Sequence, residues 1–299
     1  MTSLADLAQL IERHWHRHGR LTPIDGLLLN RADSPCGLIP ALYRPSFCLV
    51  VQGGKMSMLG GVAYRYAAGQ CLLASLDLPV TSRITQASKE QPYLALSLAI
   101  DPSTVAGLLV EQPAATRDAA PVFTALTADD HDPGLRDPLK RLLNLLDCPA
   151  DQPVLAPMIR REIVWRLLGG SLGASLRQIG LADTHAARIG RATAFIRDHY
   201  AETLRVADLA ALAGMSVPGF HRHFKAVTTM TPVQFQKQVR LQEARRRLVA
   251  AEEVARVGFA IGYESLSQFS RDYRRLFGAP PGRDAAAIRA QLVPEPALP

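Results

Sequence analysis

Residues 216–229 read SVPGFHRHFKAVTT, and a near copy, SLSQFSRDYRRLFG, returns at residues 265–278. Read as a helix capped by Ser216, the first copy sorts itself by spacing: Phe220, Phe224 and Val227 stand at i, i+4 and i+7 and make one apolar side. Pro218, His221, Arg222 and Lys225 make the other, whose donors and positive charge suit the base edges and phosphates of a DNA groove. In the second copy Phe269 and Tyr273 take the apolar places, while Ser267, Ser270, Arg271 and Arg274 take the polar ones.

The residues before each copy extend the repeat. Val206, Leu209, Ala210 and Ala213 form an apolar helical stripe that ends at Gly214; Val254, Val257, Gly258 and Ile261 do the same before Gly262, with a turn one residue longer. Helix, glycine turn and helix is the helix-turn-helix pattern, in which the first helix braces a second that enters the major groove. One such match is weak evidence, because any amphipathic pair joined by glycine imitates it; two at a fixed offset are far harder to obtain by accident. Between them, residues 231–248 open with TPVQ: a threonine cap, proline at the first helical position and glutamine three residues after the cap. Leu241, Ala244 and Leu248 give this connector an inner stripe, and Arg240, Arg245, Arg246 and Arg247 decorate the rest. At 1.5 Å per residue about eighteen residues span about 27 Å, comparable with the ~34 Å turn of B-DNA, so two reading helices can enter successive major grooves. Gly278, then Pro280 and Pro281, are the stop signal for the last helix.

The run GMSVPGFHRHFKAVTTMTPVQFQKQVRLQEARRRL, followed by VGFAIGYESLSQFSRDYRRLFGAPP, resembles the double helix-turn-helix domain of the AraC/XylS transcription regulators, over residues 187–289. The resemblance implies base-reading positions at Pro218, His221 and Arg222 in the first unit and at Ser267, Gln268 and Arg271 in the second. The first unit departs from many relatives by carrying Pro218 and Gly219 where they have larger side chains, which shifts the weight of reading there onto Arg222.

The distribution of charge agrees. At 299 residues the chain is long enough for two domains with cores of their own, and its formal net charge is +7. Residues 1–187 hold 17 Lys and Arg against 17 Asp and Glu; residues 188–291 hold 17 against 9. A neutral half joined to a cationic half points to a sensor attached to a DNA binder, because phosphate attraction needs charge only where contact occurs. The opening MTSLADLAQLIERHWHRHGR has no continuous apolar core and contains acidic residues, unlike a signal peptide, and no apolar run reaches membrane-spanning length, so the expected location is cytoplasmic. Leu4, Leu7, Ala8, Ile11 and Trp15 trace one side of an amphipathic helix there. His14 and His18 share a face at i, i+4 and invite a metal reading, but with no carboxylate or cysteine at ligand spacing the expectation is a solvated polar face with Arg13 and Arg17, and no metal.

From residue 24 to 100 the pattern changes to short β-rich runs: LIPALY, SFCLVVQ, KMSMLG, VAYRY, QCLLAS, PVTSRIT and PYLALSLAI. Turn signals at Gln52-Gly53-Gly54-Lys55, Gly60-Gly61 and Ala68-Gly69 read as three hairpins. Seven or so antiparallel strands predict a small barrel or sandwich able to hold one small molecule. LYRPSFCLVVQGGK, YRYAAGQCLLASLDLPV and QPYLALSLAID resemble the cupin-like N-terminal domain of one subgroup of the same regulator family. That fold raises an enzyme alternative, a cupin-type enzyme fused to a DNA anchor. Catalytic cupins hold a metal with several histidines and a carboxylate, and residues 19–130 contain no histidine; nucleotide-binding glycine loops and a GxSxG elbow are missing as well. No enzymatic activity and no cofactor are therefore expected. Tyr43, Arg44, Tyr64, Arg65, Tyr66 and Asp77 are the polar groups placed to face a pocket, with strand-edge charge in water as the plain alternative.

The four cysteines, Cys36, Cys48, Cys71 and Cys148, lie in the neutral half and form no CxxC pair, so neither a disulfide nor zinc is indicated. A thiol sensor of oxidants or electrophiles would use Cys36, Cys48 or Cys71; Cys48 and Cys71 sit in strand cores, and Cys36, between Pro35 and Gly37, is the one expected to be exposed. Helical runs follow at residues 103–110, 135–146 and 153–172, and a proline-rich acidic stretch at 113–133 reads as a surface loop. The expected whole is α+β: a cupin-like barrel with helical flank at 1–184 that senses a small-molecule effector and dimerises, an all-α pair of helix-turn-helix units joined by a linker helix at 185–291, and a disordered tail at 292–299. Its expected partners are promoter DNA, RNA polymerase and a second copy of itself.

Overall fold

The structure is a computed structural model that describes residues 2–111, 125–181 and 184–292, the last three without their side chains. An N-terminal helix, α1 (Leu4–His18), is followed by eight strands: β1 (Leu27–Ala32), β2 (Ile39–Tyr43), β3 (Ser46–Gln52), β4 (Gly54–Leu59), β5 (Val62–Ala67), β6 (Gln70–Ala74), β7 (Leu78–Gln86) and β8 (Tyr93–Ala99). A ninth, β9 (Leu126–Asp130), comes after α2 (Pro102–Glu111), and α3 (Arg136–Asn144), α4 (Gln152–Gly169) and α5 (Gly173–Gly180) complete the first half.

The strands form two antiparallel sheets, ordered β1-β8-β3-β6-β9 and β2-β7-β4-β5. The period of two along the first sheet assigns its faces. Phe47, Leu49, Leu73, Leu96 and Leu98 join Leu7 and Ile11 of α1 and Leu139, Ile163 and Leu167 of α3 and α4 in one core. Their neighbours Val50, Leu72, Ala74 and Ala95 point the other way, toward the second sheet. Burying both faces explains why these strands read as nearly continuous apolar runs.

Two of the three expected hairpins are corrected. Gly60-Gly61 does join paired strands, β4 and β5. The turn after Gln52 does not: β3 pairs with β6 and β8, whereas β4 pairs with β5 and β7. The turn at Ala68-Gly69 also passes from one sheet to the other. Gly53 (φ 78°) lies where a side chain would strike the backbone of Gln86, so glycine serves a crossover there as it would a hairpin. The stretch expected as a loop at 113–133 lies partly outside the described residues, and its later part is β9, which pairs with β6 along its whole length. Strand β1 escaped the sequence reading, as did α5.

The second half consists of α6 (His185–Asp198), α7 (Val206–Leu212), α8 (Val217–Thr228), α9 (Pro232–Val249), α10 (Val254–Ala260), α11 (Leu266–Phe277) and α12 (Pro281–Leu292). The caps are those the residues announce. Ser216 accepts from the Gly219 N–H, Thr231 and Gln234 form a reciprocal capping box, and Gly278 (φ 81°) closes α11. Pro280-Pro281 ends α11 but also opens α12, because proline is as well suited to a first helical turn as it is unable to continue one. The tail expected at 292–299 lies outside the described residues except for its first member.

No gap separates the halves. Ile189 and Ile196 of α6, Phe220 and Phe224 of α8 and Phe235 of α9 belong to the same buried cluster as Val50, Leu59, Leu72 and Val80 of the sheets. Polar contacts stitch its edge: Thr229 donates to the Leu59 carbonyl (3.3 Å), Gln242 to the Val80 carbonyl (3.3 Å), and Arg197 to Asp77 (2.7 Å).

Candidate nucleic-acid interface and barrel cavity

In each reading helix the aromatic side is locked and the opposite side is bare. Phe220 and Phe224 are fully buried with ring centroids 5.3 Å apart, and Phe224 meets Phe235 edge-on at 5.5 Å. That fixes the rotation of α8 and leaves Pro218, His221, Arg222 and Lys225 exposed together. Helix α11 repeats the device with Tyr263, Phe269 and Tyr273, leaving Ser267, Gln268, Arg271 and Arg274 exposed and Ser270 half-buried. Among the described residues no carboxylate lies within 4.0 Å of Arg222, Lys225, Arg271 or Arg274. These cations are held on rigid helices with their charge uncompensated, which is what a polyanion needs.

The connector differs from its sequence reading. Arg240 does not decorate the surface: its guanidinium donates to the carbonyls of Tyr200 (2.6 Å), Gly262 (3.0 Å) and Glu202 (2.8 Å), tying both units to α9. Arg245 makes a two-pronged pair with Asp284 of α12 (2.7 and 2.8 Å), Arg246 pairs with Glu243, and Arg247 pairs with Glu252. The positive charge of α9 is largely neutralised within the fold, so this connector adds little to the unpaired cations that α8 and α11 present.

Between the two sheets lies a cavity of about 520 Å³. Tyr43, Arg44, Lys55 and Tyr66 line it, together with Arg20, Cys48, Ser97 and the apolar Leu28, Leu42 and Leu72. The Tyr43 hydroxyl lies 3.3 Å from that of Ser57, which lies 2.8 Å from the hydroxyl of Tyr66. The Lys55 ammonium stands 5.4 Å from the centre of the Tyr43 ring. Burial pushes the Tyr43 phenol up, but the Lys55 ammonium and the hydrogen bonds outweigh it and bring it below its ordinary value. Burial of Tyr66 pushes its phenol well above the ordinary value.

Residues 23–175, just over half the chain, match the family model described as the AraC-type transcriptional regulator N-terminus. The chain belongs to the AraC-type transcriptional regulators. A helix-turn-helix domain model matches residues 209–286, which span the two reading units from within α7 into α12. The HTH-type transcriptional activator RhaS of Escherichia fergusonii is 29% identical over 154 residues, 50% of this chain and 55% of RhaS. The chain thus spans about half the length of the curated relatives it matches. Two solved structures of ToxT from Vibrio cholerae share the fold: an apo form of a point variant, with TM-score 0.60 and 11% identity over 89% of this chain and 99% of that one, and a wild-type form bound to an unsaturated fatty acid, with TM-score 0.57 and 10% identity over 87% and 95%.

Of the pocket residues expected in this AraC-type regulator from sequence, Tyr43, Arg44 and Tyr66 do line the barrel cavity. Asp77 does not. It is 4% exposed, pairs with Arg197 of α6 and borders a separate cleft between the barrel and α6, because strand β7 begins one residue later and leaves Asp77 on the outside of the turn. Tyr64, half-buried on β5, is not among the residues lining the cavity. Lys55 was missed, since beside two glycines it read as part of a turn. The thiols are also redistributed. Cys36 is half-buried and its sulfur accepts the Ile84 N–H (3.2 Å); the exposed cysteine is Cys148. Cys71 is buried, donates to the Asp129 carbonyl, and burial pushes its thiol up to about 12, so it carries no thiolate at neutral pH. His14 is fully buried rather than solvated, and burial pushes its imidazole pKa down. Among the described residues no group of three or more histidine, cysteine or acidic side chains is placed to hold a metal, and no helix is long and apolar enough to cross a membrane.

Proposed function

We propose that this AraC-type regulator binds promoter DNA through the exposed faces of α8 and α11, and that a small molecule in the barrel cavity alters that binding. The observation that carries the reading is the pair of reading helices, each rotationally fixed by buried aromatics and each presenting unpaired cations, joined by an 18-residue helix. At 1.5 Å per residue that connector is about 27 Å long, which suits entry into successive major grooves. Arg222 in the first unit and Gln268 and Arg271 in the second are the base readers; Lys225 and Arg274 hold phosphates; Pro218, His221, Ser267 and Ser270 complete the contact faces. Residues 1–184 are the effector and dimerisation domain and 185–291 the DNA-binding domain, working in the cytoplasm and, as the activator relative suggests, beside RNA polymerase. The homodimer forms along α4, whose Val154 (65% exposed), Met158 (63%) and Trp165 (44%) make an apolar stripe open to water.

The test is fluorescence anisotropy of the full chain on duplex fragments recovered by genome-wide mapping of its bound promoters, repeated across salt concentrations. The logarithm of the binding constant should fall linearly with that of the salt, since cations displace counterions from phosphates. A binding constant indifferent to salt, or attachment to no duplex, overturns the reading.

A further inference from the structure

The barrel cavity contains a charge whose partner the protein does not supply. Lys55 points from β4 into the space between the sheets, half-buried, and among the described residues no carboxylate lies within 4.0 Å of its nitrogen. Beside it stand the face of the Tyr43 ring and the row of hydroxyls Tyr43, Ser57 and Tyr66, and the nearest other charge in the lining that acts on it is a second cation, Arg20. A cation taken from water without a counter-ion is expensive, and a ring face with a few hydroxyls returns only part of the lost hydration. On the inner face of the other sheet the hydroxyl of Tyr93 on β8, fully buried and outside the cavity lining, has no hydrogen-bond partner among the described residues. Among the lining residues the exposed Arg20 and Arg44 outnumber the single acidic group, the exposed Asp25, so the cavity lining is net positive even without Lys55. The remaining walls carry the apolar Leu28, Leu42 and Leu72 beside the polar Thr22, Asn30, Ser46 and Ser97.

We infer that the effector is an organic monocarboxylate with an apolar body, its carboxylate held by the Lys55 ammonium and by the hydroxyls beside it, its body against the leucines. One ammonium matches one negative charge, the hydroxyl row supplies neutral donors for the remaining oxygen lone pairs, and about 520 Å³ accommodates a small ligand whole. The positions of these groups in the strands also make the ligand audible to the reader. Tyr43 ends β2 and Lys55 lies in β4; β7 separates those strands and gives its Val80 carbonyl to Gln242 of α9, and β4 ends at Leu59, whose carbonyl accepts from Thr229 after α8.

This inference rests on the barrel being the sensing site, and the experiment separates the two. Isothermal titration calorimetry of the full chain uses octanoate and 3-phenylpropanoate, with octanamide and 3-phenylpropanamide as uncharged counterparts; anisotropy on bound promoter duplex is read with and without each probe. The acids should bind at least about tenfold more tightly than the amides, Lys55→Met should remove about that factor, Lys55→Arg should retain most of it, and Tyr43→Phe should weaken binding by about threefold. Circular dichroism shows which variants fold, and Tyr43→Phe and Lys55→Arg keep the test decisive should Lys55→Met unfold. Acid binding that Lys55→Met leaves unchanged overturns the site. Amides that bind as well as the acids, or acids that do not bind, overturn the ligand class, and the sensing reading survives if an amide still shifts promoter binding. Acids that bind through Lys55 without changing promoter binding leave the site standing and overturn the sensing role.

Discussion

Arg222 and Phe220 are two residues apart and face opposite ways, so truncating each tests a different property. Phe220 and Phe269 are fully buried, and replacing either by alanine should destabilise its unit by about 3–5 kcal/mol, with loss of helical dichroism and of all DNA binding together. Arg222→Ala and Arg271→Ala should leave folding intact and cost about 1–3 kcal/mol of specific binding each, with discrimination relaxed at one base position. Arginine variants that bind every sequence as before would reassign the readers. A second residue-scale test concerns Asp77. Asp198, and then Asp77, strengthen the hold on the Arg197 guanidinium proton, yet burial pushes the Asp77 carboxyl above its ordinary 3.8 against the pull of Arg197, and since Asp77 is the buried member, its desolvation decides. A folded pKa above the unfolded one favours the protonated form: that stabilising contribution is complete below pH 3.8 and is lost as the pH rises through the raised value. Asp77→Asn carries no charge to desolvate, so its unfolding free energy should gain on wild type between pH 3.8 and neutrality in urea titrations. A difference that moves the other way would show the Arg197 pair outweighing burial. Residues such as Phe220 and Ser216 were legible because their meaning is local, a spacing or a cap. Asp77 and Lys55 were not, because whether a charge meets a partner depends on a segment far away in sequence.

At the level of elements, the same divide separates helices from strands. The capping box at Thr231 and the glycine stop at Gly278 need only neighbours within one turn, and both helix ends fall where the residues put them. The turns at Gly53 and Gly69 have the chemistry of hairpins, yet they carry the chain between sheets; a positive φ is required by either route and does not say which strand comes next. Helix α12 was hidden behind Pro280-Pro281, and its role is visible only in space. Asp284 accepts two hydrogen bonds from Arg245 of α9 and a third from the Tyr273 hydroxyl of α11 (2.8 Å), and the Arg245 guanidinium also stacks on Phe277 (4.8 Å). One carboxylate thereby joins three helices of the second reading unit. Asp284→Ala would leave a mostly buried guanidinium and a buried phenol unpaired, and should destabilise this unit by about 3–5 kcal/mol, the usual consequence of removing one partner of a buried pair. Chemical denaturation of the variant checks this. A loss below about 1 kcal/mol, the ordinary worth of an exposed ion pair, would mean that water reaches Arg245.

Across the whole molecule, the neutral and cationic halves that charge counting separates turn out to share one core, in which Leu59 and Val80 of the barrel pack in the same cluster as Phe220, Phe224 and Phe235 of the first reading unit. Composition correctly places the charge but has no means of recording that both halves bury apolar surface against each other. The consequence is thermodynamic. Neither half can unfold without exposing part of the other's core, so the full chain should melt in a single calorimetric transition whose calorimetric and van't Hoff enthalpies agree. Gly60 is the place to loosen this joint. It holds φ at 57° in the β4–β5 turn, and a side chain there would strike the Thr229 hydroxyl, the group that reaches from the end of α8 to the Leu59 carbonyl. Gly60→Ala should therefore carry about 1–3 kcal/mol of backbone strain and also push the reading unit off the barrel. It should divide the single transition into two and make promoter binding insensitive to whatever occupies the cavity, while the salt dependence of binding stays as in wild type, because the faces of α8 and α11 are untouched. Two separate transitions in the unaltered chain would show that the shared core is too weak to couple the halves.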